Sequence, residues 1–213
     1  MNLRRLRYLV AATFVAGVCL VLGWDRLPLG PAGGVRILGD PPSHPATEVV
    51  PDDRPVFHID PDRPWRIDLG RGSGMDGLDT VTLDQSGRVR LYQHTEAWLH
   101  NEIGLPWETA EGRISPDAVA AVLAAAASNR LTELQHKYLT NVCDGTQWIL
   151  RVRQGENEKA VYFDTHFPDA VLRFAAKLDE IVAADVGAGL RWRPVLGVDR
   201  PGPQRELWES INR

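Results

Sequence analysis

The stretch "TVTLDQSGRVRLY", residues 80–92, decides the fold. Val81 and Leu83 alternate with threonines, and after Asp84-Gln85-Ser86-Gly87 the alternation resumes with Val89 and Leu91. Period two on both sides of a short polar turn marks a β-hairpin with one buried face. Upstream, Trp65, Ile67 and Leu69 alternate with Arg66 and Asp68 and give a further strand. "GRGSGMDG" (70–77) follows as a glycine-rich turn. It lacks the lysine of a Walker loop and the spacing of a dinucleotide fingerprint, so it is no phosphate cradle. Residues 95–112 read as a longer excursion carrying Trp98, His100, Pro106 and Trp107.

Ser115-Pro116-Asp117 is a helix start: a capping hydroxyl, proline at the first helical position and an acid in the first turn. Val119, Val122, Leu123 and Ala126 share one face of that helix, and Asn129 ends it. Leu131, Leu134 and Tyr138 read as one more short helix. A second strand pair follows, with Trp148, Leu150 and Val152 on one side of "QGENE" and Ala160–Phe163 on the other. Pro168-Asp169 opens a second helix with Val171, Ala175, Leu178 and Val182 on its apolar face and Gly187 as its stop. Leu190 and Trp192 predict a last strand, and Leu207, Trp208 and Ile211 a docking turn in the tail. Both main helices open with Pro-Asp-Ala-Val, at 116–119 and 168–171; this fits a duplicated unit, and equally the generic preferences of a first turn.

The expected fold class is therefore α+β, a mostly antiparallel sheet with two main helices on one face. The order is strands, helix, strands, helix, strand, preceded by one N-terminal transmembrane helix. The expected divisions are an anchor or signal segment at 1–24, a Pro/Gly-rich linker at 25–54, a globular domain at 55–197 and a tail at 198–213.

The anchor rests on composition. Arg4, Arg5 and Arg7 precede seventeen uncharged residues, Tyr8 to Trp24, in which only Thr13 is polar. As a helix this run spans about 26 Å, the short end of what a bilayer core accepts. Cleavage after Val15-Ala16-Gly17 would leave an apolar stub, and Gly30-Pro31-Ala32 is distant and carries a proline. Val18 stands where lipoprotein processing at Cys19 needs a small residue. The run thus reads as a retained anchor with the domain outside the cytoplasm; cleavage, releasing a secreted or periplasmic protein, is the alternative. The linker holds six prolines and four glycines in thirty positions.

The formal net charge is −4, and setting aside the first 24 residues leaves 21 Lys and Arg against 28 Asp and Glu. An acidic body disfavours nucleic acid as a partner. Three Arg-x-Arg pairs nevertheless lie in the phase opposite to the apolar residues: Arg88/Arg90, Arg151/Arg153 and Arg191/Arg193. If their strands are neighbours, they form an anion-binding face for an acidic protein, polymer or lipid headgroup. The alternative is a solvated face whose arginines pair with local acids such as Asp68 or Glu158. Trp98 and Trp107 are candidates for a partner contact in the loop, or plugs for the core. Cys143 sits in a loop without a protease signature around it, and an enzyme built about it is a further alternative. The histidine and cysteine spacings match no metal motif, and no cofactor is implied.

"GSGMDG", the hairpin, the Ser-Pro helix start and "CDGTQWILRV" together resemble a family of small bacterial α+β domains, over about residues 65–185. Some members are similar to emfourin, a protein inhibitor of thermolysin-like proteases. The resemblance implies an inhibitor of an extracytoplasmic protease as the alternative to a non-catalytic binding or scaffolding domain.

Overall fold

The computed structural model describes residues 43–73, 77–94, 107–143, 145–195 and 202–212. The expected anchor, the linker up to residue 42 and Trp98 lie outside the described residues. The strands are β1 (Glu48–Val50), β2 (Trp65–Ser73), β3 (Gly77–Asp84), β4 (Arg88–His94), β5 (Trp107–Arg113), β6 (Lys137–Leu139), β7 (Thr146–Gln154), β8 (Asn157–Asp164) and β9 (Arg193–Pro194). They form one sheet in the order β1-β6-β8-β7-β2-β3-β4-β5-β9, antiparallel except for the β6–β8 pair. The helices are α1 (Pro116–Ser128), α2 (Asp169–Val186) and α3 (Gly202–Ser210).

The hairpin read from residues 80–92 is β3–β4, with Val81 opposite Leu91 and Leu83 opposite Val89. Gly87 closes its turn at φ +76°, and a Cβ there would stand 2.7 Å from the Ile114 carbonyl oxygen. Inward residues of β2, β3, β4, β7 and β8 pack against Val122 of α1 and Val171, Phe174, Leu178 and Val182 of α2 in one buried cluster. Ser115 caps α1 by accepting from the Ala118 amide at 3.3 Å, while Asp185 of α2 accepts from the Ser115 amide at 2.7 Å. An internal ion pair also fixes α2: Arg71 donates to both oxygens of Asp179 at 2.6 and 2.7 Å, with both side chains buried. The identical tetrapeptides serve different registers. Pro116 is the first residue of its helix, whereas Pro168 stands before α2 at the cap position.

The structure departs from the sequence expectation at six places. Gly70–Ser73, read as part of the glycine-rich turn, continue β2, since they pair with both β3 and β7. The last strand is Arg193–Pro194 and not Leu190 and Trp192, both of which pack on the main core. Residues 107–113 form a strand and not part of an excursion; its inward residues are Ala110 and Gly112, too small to show an apolar alternation. Small size is needed there, since a Cβ on Gly112 would meet Val186 of α2 at 3.0 Å. Leu131–Glu133 is a single 3-10 turn, and Tyr138 lies in β6, pairing with Val49 and Phe163. The end of the expected linker belongs to the fold: β1 pairs with β6, and Asp52 meets Lys159 at 2.8 Å with both side chains 4% exposed. Last, the sheet face away from α1 and α2 carries α3. Leu207 and Ile211 pack there on Leu78, Ile149 and Ala160. Gly70 permits this close approach, because a Cβ on it would lie 2.9 Å from Leu207 Cδ1.

Candidate functional site

Strand alternation puts Arg66 and Asp68 of β2, Thr80 and Thr82 of β3, Arg88 and Arg90 of β4, Glu111 and Arg113 of β5 and Arg151 and Arg153 of β7 on the face opposite α1 and α2. α3 divides this second face into two halves. It lies over β2, β3 and β7, with Gln204 and the Trp107 ring of β5 each 2.9 Å from where a Cβ on Gly77 would stand, and among the described residues makes no comparable contact with β4 or β9.

Under α3, Arg151 is a structural residue. Its Nε donates to Asp68 Oδ2 at 3.0 Å, one terminal nitrogen to Glu206 Oε2 at 2.9 Å, and the other to the Glu206 carbonyl at 3.1 Å. Asp68, 1% exposed, also accepts from Arg66 Nε at 2.7 Å and Thr82 Oγ1 at 2.8 Å. Burial opposes the charge on Arg151, yet Asp68 and Glu206 outweigh it and raise its pKa. Burial and the neighbouring Arg151 and Arg66 push the pKa of Arg153 down. The local pairing with Asp68 weighed from sequence therefore describes Arg151, which no external anion can reach while α3 is docked.

On the other half the side chains stand in ranks set by the register. Arg88 faces Arg113, Arg90 faces Glu111, Tyr92 faces Thr109, and His94 faces Trp107. Arg193 of β9 stands beside Thr109. Arg88 and Arg90 both donate to Glu111, at 2.7 and 3.0 Å, and Arg113 donates to the Ser86 carbonyl at 2.6 Å. Arg88, first, and Arg90 hold the Glu111 carboxyl below the usual carboxylate range. Arg88 and Arg90 thus face Glu111, with the turn carboxylate of Asp84 also near Arg88, while Arg113 and Arg193 flank them on the same face. Arg88 is 48% exposed and Arg90 32% exposed, while Arg113 and Arg193 are exposed. The structure puts Arg88, Arg90, Arg193 and Trp107 on one half of the face, with Arg88 and Trp107 at opposite ends of the β4–β5 register. It separates them from Arg151 and Arg153, because β2 and β3 lie between β7 and β4. Arg191 is exposed just ahead of β9.

Trp107 is half-buried, its ring edge-to-face with His94 at 5.2 Å between centroids. Cys143 is a free, exposed thiol in the β6–β7 loop. No His, Cys, Asp and Glu cluster suited to a metal occurs among the described residues. A groove of about 220 Å³ lies between residues 57–59 and the end of α1; Arg130 and Glu133 at its rim pair with each other. Sequence reasoning missed Glu111, Arg113, Arg66 and Glu206. Only strand register places Glu111 beside Arg90, and only α3 docking brings Glu206 to Arg151.

Fold and site together define a class: an α+β sheet-and-helix domain whose second face is part helix-covered and part arginine-bearing. No protein-family model and no curated protein matches the chain.

Proposed function

We propose that this protein is a membrane-tethered, non-catalytic binding domain held outside the cytoplasm, engaging an anionic partner through the β4–β5–β9 face. The tether rests on the uncharged run Tyr8 to Trp24 behind three arginines. The single observation that carries the binding reading is the set of exposed Arg88, Arg113 and Arg193 around half-buried Arg90 on a body of net negative charge. Planar guanidinium forks suit carboxylate, sulfate and phosphate oxygens.

Salt-gradient elution of the full chain, in detergent, from a polyanionic resin tests it. The triple variant Arg88→Gln, Arg90→Gln, Arg193→Gln elutes at lower salt than the native chain; an unchanged elution point removes the reading. Inhibition of a thermolysin-like protease by the native chain would move the assignment to the inhibitor that the family resemblance implies. Recovery from cells of a chain beginning near Asp25 or Gly33 would replace the anchor by a cleaved signal.

A further inference from the structure

We infer that the anionic partner is an acidic polysaccharide lying flat across β4, β5 and β9; this rests on the anion-binding reading above. The guanidinium groups do not converge. Successive ranks along a strand are about 7 Å apart and neighbouring strands about 5 Å apart, so the four arginines cover a strip and not a point. That layout fits an extended polyanion and wastes three of four contacts on a single phosphate.

The ranks also change character along the strip. Two ranks are ionic, at Arg88/Arg113 and Arg90/Glu111; the next two are aromatic, at Tyr92/Thr109 and His94/Trp107. Tyr92, half-buried, is flanked across the sheet by buried Thr80 on one side and half-buried Thr109 on the other, short side chains beside the phenol ring. Uronate sugars present both matching elements, a carboxylate for the guanidinium fork and a C–H face for the aromatic ring. β4, β5 and β9 contain no lysine, so apart from His94 the basic groups on the strip are guanidinium forks, the group suited to carboxylate oxygens.

Two rival partners fit less well. A membrane surface calls for apolar residues to insert beside the basic ones. The exposed large apolar residues among the described ones are Val49, Val56 and Val142, and β1, which carries Val49, lies at the far end of the sheet from β9. An acidic peptide can engage the same arginines, and it brings no sugar C–H face for Tyr92. Glu111 acts as the internal competitor, since its carboxylate already occupies the inner donors of Arg88 and Arg90.

The test uses the full chain in detergent, titrated at fixed ionic strength with oligogalacturonate, oligoglutamate of matched charge and a single-stranded oligodeoxynucleotide. Oligogalacturonate binds about tenfold tighter than the other two. Tyr92→Ala loses that preference, Tyr92→Phe keeps it, and Glu111→Gln tightens binding of all three, with thermal midpoints reported for each variant. Equal affinity for the three probes, or preference for the peptide or the oligonucleotide, overturns the polysaccharide while the anion-binding face stands. Binding that Arg90→Gln leaves unchanged overturns both.

Discussion

Asp68→Asn is the substitution that most directly separates a structural arginine from a ligand-binding one. Asp68 is 1% exposed and accepts three side-chain hydrogen bonds, from Arg66, Thr82 and Arg151. Neutralising it leaves the Arg151 guanidinium, 3% exposed, with Glu206 alone, and the Glu206 side chain is 48% exposed. Breaking a buried pair from one side costs about 3–5 kcal/mol, because the remaining charge keeps its desolvation penalty and loses its counterion. Glu206 retains part of the compensation, which places the expected loss near the lower end, about 3 kcal/mol. That is a large share of the roughly 5–15 kcal/mol by which a domain is stable. Urea unfolding reads it as a fall in midpoint at constant slope. Arg151→Met in the Asp68→Asn background recovers most of the loss, since no charge then stays buried unpaired. A loss under about 1 kcal/mol, or one as large in the Arg151→Met background, would refute the reasoning.

Three further expectations follow from the packing and the charges. Leu207→Ala removes the fully buried side chain seated over Gly70 and costs about 2–4 kcal/mol, up to the docking energy of α3; faster amide exchange in α3 and at Arg151 checks it, and unchanged protection there contradicts the α3 packing. Gly87→Ala forces a left-handed conformation and a contact with the Ile114 carbonyl, for a loss of about 1–2 kcal/mol; a neutral thermal midpoint would mean the β3–β4 turn is not closed as described. His136 accepts or shares a hydrogen bond with Arg54 at 2.9 Å, and burial, with Arg54 and Lys137 nearby, pushes its pKa below 6.5. The folded chain therefore resists a proton that the unfolded chain takes up, so stability is unaffected above pH 6.5 and declines as pH falls below it. His136→Asn flattens the stability profile between about pH 5 and 6.5; an identical slope in both proteins would show that His136 does not drive it.

Local pattern was enough wherever neighbours in sequence are also neighbours in space. The β3–β4 hairpin, the β7–β8 pair, the Ser115 cap and the apolar faces of α1 and α2 all follow from period two, period 3.6 and first-turn chemistry. β5 was illegible because its inward positions are Ala110 and Gly112, chosen for the room that Val186 needs. β1 and β6 are three residues each, too short for a period to show, and they exist through pairing at the sheet margin.

The phase of the Arg-x-Arg pairs, opposite to the apolar residues, was likewise a property of the sequence. What those arginines do was not. Arg151 and Arg88 occupy equivalent places in the same kind of strand, yet one is sealed under a helix between two carboxylates and the other stands in solvent beside Glu111. The difference comes from strand order, which sets β7 and β4 three strands apart, and from α3, which covers only one of them. Alternation is a short-range steric rule that one strand obeys alone. Burial and charge pairing depend on which distant segments arrive on top of it, and only the tertiary structure supplies that.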